Sequence, residues 1–417
     1  MKLFKYLLVV CILFTFLQTE TQCLTWHGRG LYGDPISWTG ARSFGMANCS
    51  VANEESSSAL FSNPAILGIS ERLQFNYSNR LLYYFEYWSY PVYDPYYNYS
   101  GDTTYLINSN LYSVPSFSVS APLPVKLPVN IVLAAGMSPW IDYAYTYKET
   151  PRDNSYRKIY DNEIARTGGV NKFSFGTSVL MGKIGLGLGL NNLSGGYEDD
   201  LAHINYTDST QSYSEKIKLE NLAGNNINFG VLYYVRNRFW AGINIETPAQ
   251  LKGTLTTNTT IQSKVENQEL TYPQTISFGV RYQPPNEIPV VATAEIIMRN
   301  WSQLKDTLNT SVALQDTIEY HFGLEHRFDF GLDLRFGFYH QPWYGNTEVR
   351  TNYITGGIGF NIVEKLKLDI GIGFGRSDYR TTDPFHLKHA EIHLSKPKYD
   401  IIDEKSADIM VTLTYRM

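Results

Sequence analysis

The sequence predicts an all-β fold, a transmembrane antiparallel β-barrel of about fourteen strands with an N-terminal hatch, or plug, in its lumen. Three observations carry that prediction. The 417 residues are 43% apolar and 14% aromatic but only 18% charged, with a mean hydropathy of −0.25. This mixture suits strands that face lipid and water by turns. Beyond about residue 70, stretches of about ten residues alternate apolar with small or polar side chains, the period of a strand whose faces meet different solvents. No stretch after the first two dozen residues holds the eighteen consecutive apolar residues of a helical span. The 32 tyrosines and 7 tryptophans read partly as girdles at the two bilayer interfaces.

The chain opens with Lys2 and Lys5 ahead of an apolar run from Tyr6 to Leu17, the pattern of a signal peptide over residues 1–23, with cleavage expected near Cys23. Lipid attachment at Cys23 is disfavoured by the preceding Gln22. Cleavage would leave the weakly acidic chain one charge more negative, which argues against a nucleic-acid partner, and would leave Cys49 as its lone cysteine, so no disulfide framework is expected. Residues 24–70 form the expected hatch and 71–417 the barrel.

Strands are expected over 71–79, 113–121, 129–138, 170–181, 184–194, 224–235, 239–247, 274–283, 289–299, 317–327, 331–340, 353–362, 366–375 and 406–417. The connections between them alternate short and long, which assigns the short turns to the periplasm and the long loops to the exterior. In Ile184-Gly-Leu186-Gly-Leu188-Gly-Leu190 the leucines would face lipid while the glycines leave room inside. The spacing is not that of a nucleotide-binding loop. Fixing the apolar parity of the later strands turns Arg281, Glu295, Arg299, Glu319, His321, Glu325, Asp333, Arg335, Lys367 and Asp369 inward. None is left at the lipid face, where a charge near the midplane costs about 2 to 4 kcal/mol. The last strand alternates through Ile409, Val411, Leu413 and Tyr415, as expected of one that closes a barrel.

Between the signal and the first strand stand Gly40-Ala-Arg-Ser-Phe-Gly-Met46, Val51-Ala52 and Ser57-Ser-Ala-Leu-Phe-Ser-Asn63-Pro64-Ala65. This segment resembles the hatch of the long-chain fatty acid transporter family of outer-membrane barrels (FadL and TodX types), and it implies that Asn63, Pro64 and Ala65 lie in a barrel plug. Pro273-Gln-Thr-Ile-Ser-Phe-Gly279-Val-Arg-Tyr282, Ala294-Glu-Ile-Ile-Met-Arg-Asn-Trp301-Ser302, His321-Phe-Gly323-Leu-Glu325 and Leu334-Arg335-Phe-Gly337-Phe are similar to later strands of that family. The chain departs from it after Met46, where Ala47-Asn-Cys49 replaces the usual extra glycines, at Ile66-Leu67-Gly68, and in ending on Met417. The resemblance implies a protein of the Gram-negative outer membrane, surrounded by outer-membrane lipid, that passes hydrophobic small molecules such as long-chain fatty acids or hydrocarbons by passive diffusion gated by the hatch. It also admits a PorV-type component of a protein secretion system, because barrels with a similar hatch serve such systems. A monomer is expected, and secretion-system proteins are the protein partners considered.

Arg281, Arg299, Arg335 and Lys367 are the lumen candidates for holding a carboxylate headgroup, set against acidic neighbours that could simply pair with them. Tyr83, Tyr84, Phe85, Tyr87 and Trp88 sit in a tyrosine-rich stretch expected to be the first long loop, either an external groove that captures apolar ligand or strand extension with an interface girdle. His386, His389, Glu391 and His393 crowd together without the spacing of a closed zinc site, so no metal and no cofactor is expected. The pair His393 and Ser395 has no identifiable third member, so no enzyme is expected.

Overall fold

The computed structural model describes residues 32–417 except 38, 95, 97, 125–127, 154, 236–237, 261, 286–288, 311–312 and 382–398. Fourteen antiparallel strands close on themselves as a barrel. They are β1 (Gln74–Tyr93), β2 (Tyr99–Pro122), β3 (Asn130–Asp142, resumed at Tyr145–Glu149), β4 (Tyr160–Met181), β5 (Ile184–Asn205), β6 (Tyr213–Val235) and β7 (Phe239–Glu246, resumed at Ala249–Thr259). The circuit continues through β8 (Ser263–Tyr272, resumed at Thr275–Tyr282), β9 (Val290–Arg299), β10 (Thr317–Arg327), β11 (Leu332–Trp343), β12 (Asn346–Val363), β13 (Leu366–Thr381) and β14 (Asp400–Arg416). Each strand pairs with the next, and β14 returns to β1 in a register running from Ile401 opposite Ser89 to Arg416 opposite Gln74. Closure gives every strand a neighbour on both sides, the arrangement by which a backbone satisfies itself in lipid.

The period-two reading fixes the faces. Phe278, Tyr282, Tyr320, Phe322, Leu324, Phe336 and Ile372 point outward and are exposed, while Arg281, Glu295, Arg299, Glu319, Glu325, Arg335 and Asp369 are buried inside. The fourteen expected strands all form. Several run further at the long-loop end: β1 has 20 residues and β2 has 24, against about 9 to 11 needed to cross the apolar layer. The stretch expected as a tyrosine-rich external loop is therefore mostly strand, and only residues 94–98 connect β1 to β2. At the other end the turns are tight. Gly182, at φ +60°, makes the two-residue link between β4 and β5, a left-handed position that glycine takes without strain.

The lumen is filled by the N-terminal segment. Asp34 and Pro35 pair with Asp142 and Ile141 of β3. The helix α1 (Ala41–Gly45) and two 3-10 helices, Ser57–Phe61 and Pro64–Ile69, follow. The barrel wall makes room for them with glycine. A Cβ at Gly187 would strike Pro64 and Ala65, one at Gly230 would strike Asn63, one at Gly242 would meet Val51, and those at Gly323 and Gly337 would meet Met46 and Ala47.

Candidate functional site

Asn63 caps the last hatch helix, its side chain accepting from the Ala65 amide at 3.1 Å. Its Nδ2 donates to the Val51 carbonyl at 2.8 Å and to the Val231 carbonyl of β6 at 3.2 Å. One fully buried amide thus joins two parts of the hatch to the wall, while Pro64 begins a helix where a missing N–H costs nothing. Elsewhere the wall supplies the partners. Glu295 accepts from the Ser50 and Val51 amides at 2.7 and 2.9 Å, Thr412 accepts from Ala41 at 2.8 Å, and Thr355 accepts from Ala47 at 3.0 Å. Ala47 and Asn48 take φ of +59° and +60°. The departure from the family's glycines thus falls in left-handed backbone, which costs an alanine about 1 kcal/mol.

The four basic lumen candidates all stand in ion pairs. Arg335 reaches Glu325 at 2.8 Å, Asp333 at 3.0 Å and Asp369 at 2.8 Å. Lys367 meets Asp333 at 2.7 Å, and Arg299 is bonded to Glu319. Arg281 reaches Glu55 of the hatch at 3.0 Å and lies over the Trp240 ring at 4.1 Å. A hub that no local sequence pattern announces links them: Glu55 Oε1 also meets Arg42 at 3.4 Å and Arg327 at 3.2 Å, and Glu325 takes Arg42 at 3.0 Å. Burial would raise the Glu55 carboxyl, but Arg42, Arg281 and Arg327 outweigh it and hold the group well below the usual carboxylate range. Cys49 is a buried free thiol, pushed up by burial and by the Glu295 carboxylate beside it.

The five aromatic capture candidates do not form one surface. Tyr84 and Trp88 are buried inside the barrel, with Tyr84 against Glu404 at 3.3 Å and Trp88 against Glu86 at 3.3 Å. Tyr83 is exposed on the outer face, where it meets Phe85 edge to face, and Tyr87 lies under Lys405. An alternating strand divides them between lumen and exterior. His386, His389, Glu391, His393 and Ser395 lie outside the described residues.

Beside the hatch the pairing of β2 with β3 is interrupted. The β2–β3 ladder runs from Pro122 opposite Val132 only as far as Phe117 opposite Met137. Beyond it β3 turns to pair with Asp34 and Pro35, and the β3–β4 register shifts between Pro139 and Ile141. Farther up, β2 is tied to β3 by side chains instead, with Asn108 and Asn110 on Thr146. Behind the interruption, Phe61, Pro139, Trp140, Tyr272 and Trp301 line a cavity of about 80 Å³ together with Ser138 and the charged Lys172, Glu246, Glu295 and Arg299. A second, of about 110 Å³, lies across Ile36 and Trp301 and is walled by Leu82, Tyr84, Tyr339, Trp343 and Tyr344. At the short-turn end, below the hatch, a wider recess of about 340 Å³ opens among Glu55, Leu67, Arg72, Trp240, Arg281, Arg327 and Arg416.

A plugged fourteen-stranded barrel with charges paired across its lumen defines the class: this is a FadL-type outer-membrane barrel fold. The chain belongs to the BamG family, whose sequence profile matches residues 5–331. Among solved structures, a FadL homologue of Pseudomonas aeruginosa superposes with a TM-score of 0.65 at 13% identity, over 92% of this chain and 99% of that one. The toluene transporter TodX of P. putida gives a TM-score of 0.59 at 15% identity, again over 92% and 99%. The toluene transporter TbuX of Ralstonia pickettii gives 0.58 at 13%, with the same coverage. At these identities the likeness is one of fold. No curated protein matches the sequence.

Proposed function

We propose that the protein is a passive outer-membrane channel for hydrophobic small molecules in a Gram-negative cell. The observation that carries this reading is the interrupted β2–β3 ladder, which lies against a cavity of about 80 Å³ lined by aromatic rings on one part and by polar groups, Lys172, Glu246, Glu295 and Arg299 among them, on the rest. An apolar solute crossing a plugged lumen needs a place to rest and a way back to the lipid, and a break in backbone pairing is where a barrel wall yields most readily. The cavity is small, about half of an engineered apolar cavity that holds benzene, so compact hydrocarbons suit it better than a full-length acyl chain. The long-loop end then faces outward and the short-turn end faces the periplasm. Arg281, Arg299, Arg335 and Lys367 serve in this reading as struts holding the lumen and hatch in register.

A test is uptake of radiolabelled toluene by a Gram-negative host producing the barrel, compared with the same host carrying an empty vector. Faster initial uptake supports the channel, and equal rates refute it. The second reading, a component of a protein secretion system, draws on the many ties that seat the hatch, from Glu295, Thr355, Thr412 and Asn63. Stable co-purification of a secretion partner, with no uptake, would favour it.

A further inference from the structure

The recess below the hatch is built differently from the two cavities above it. Arg72, Arg281, Arg327 and Arg416 line it against two carboxylates, Glu55 and Glu71. Glu55 Oε1 is already shared by Arg281, Arg327 and Arg42. Arg281 is only 3% exposed, yet its Nε and Nη1 have no hydrogen-bond partner among the described residues, and neither has the Nε of Arg416. A buried guanidinium with idle donors is costly unless something supplies acceptors. The recess is also lined by the apolar Leu67, Ile69 and Trp240, with Arg281 over the Trp240 ring at 4.1 Å.

We propose that this recess is a binding site for an amphiphile with an anionic head, a carboxylate or a phosphate on a short apolar tail. The head meets Arg281, Arg327 and Arg416, and the tail lies against Leu67 and Trp240. Planar guanidinium forks recognise both anions, and the excess of arginine over carboxylate around the recess selects against a neutral or cationic head. The site stands apart from the upper cavities and does not depend on what passes through them.

The test is isothermal titration of the purified full-length barrel, in a non-ionic detergent at low salt, with octanoate, octyl phosphate and octanol. Either anion should bind at least about tenfold more tightly than octanol, the scale of one charge-assisted hydrogen bond. The tighter of the two anions distinguishes a free carboxylate ligand from a lipid-type phosphate, and either result supports the site. Arg416→Gln, at the rim, should weaken the anions about fivefold or more and leave octanol unchanged. Arg281→Met keeps an apolar stem over Trp240 and leaves Glu55 its other two partners, and it should weaken them further. Equal binding of octanol and the anions overturns the proposal, and so does anion binding unmoved by either substitution in protein whose heat-modifiable mobility shows a folded barrel. Toluene uptake is read separately, so its loss or retention bears on the channel and not on this site.

Discussion

Replacing Asn63 by Asp isolates the hatch from the barrel that holds it. The two side chains have the same shape, but an oxygen would stand where Nδ2 now donates to Val51 at 2.8 Å and to Val231 at 3.2 Å. Two hydrogen bonds disappear, and the buried Val51 carbonyl is left facing an acceptor, while Val231 keeps its place in the ladder between Leu186 and Ile243. A buried group stranded in this way costs about 1 to 3 kcal/mol, so the hatch loses about that much before the carboxylate's own burial is counted. The cap on Ala65 survives, because Oδ1 still accepts from its amide. None of the wall's strand-to-strand bonds is touched, so the barrel itself should keep its heat-modifiable mobility. The expected outcome is a folded barrel whose hatch opens often enough to be seen as ion conductance in a planar bilayer and as trypsin cleavage after Arg42, which is buried while the hatch is seated. An Asn63→Asp barrel as silent and as protease-resistant as the parent would refute the role assigned to this amide.

Three further outcomes follow from the same contacts. Ala47→Gly should raise the midpoint of thermal unfolding by about 0.5 to 1 kcal/mol of stability, because it relieves left-handed strain at φ +59°, and an unchanged or lowered midpoint would contradict that. Gly323→Val should unseat the hatch without unfolding the wall, since the new side chain would occupy the place of Met46, and conductance with intact barrel mobility checks it. Acid should leave the hatch seated through the ordinary carboxylate range: Glu55 is held low in the folded protein, so its contribution is fully present above the unfolded carboxylate pKa of about 4.3 and is lost only as pH falls through the lower folded value. Conductance appearing already at pH 6 would count against that hub.

Much of this architecture is legible in the sequence because a strand with lipid on one side and a packed lumen on the other must alternate. The contrast is sharp from Ile276 to Ile372, and every charge assigned inward there points inward. It fails at 81–90 for a physical reason: Leu81, Tyr83, Phe85 and Tyr87 face outward while Leu82, Tyr84 and Trp88 join a buried aromatic cluster inside the upper barrel. With both faces apolar the period of two vanishes, and the segment resembles a greasy loop. The hatch is legible through Asn63-Pro64-Ala65 and the glycines of the strands. Its hub at Glu55 is not, because Arg42, Arg281 and Arg327 come from hatch and wall segments far apart in the chain and meet only when the barrel closes. Pro115 in β2 and Pro139 in β3, each two residues past the last pair, Phe117 and Met137, are the local marks of the interrupted ladder, since proline withholds a ladder donor.

The central claim is that apolar solutes pass through the cavity beside that interruption. Ser138 is buried and lines the cavity from β3, so Ser138→Trp would fill it while leaving the backbone pairing with Lys172 in place. The decisive measurement is the initial rate of toluene uptake by cells producing equal amounts of parent and Ser138→Trp barrel in the outer membrane. The account predicts that the variant falls to the empty-vector rate; a variant as fast as the parent would contradict it.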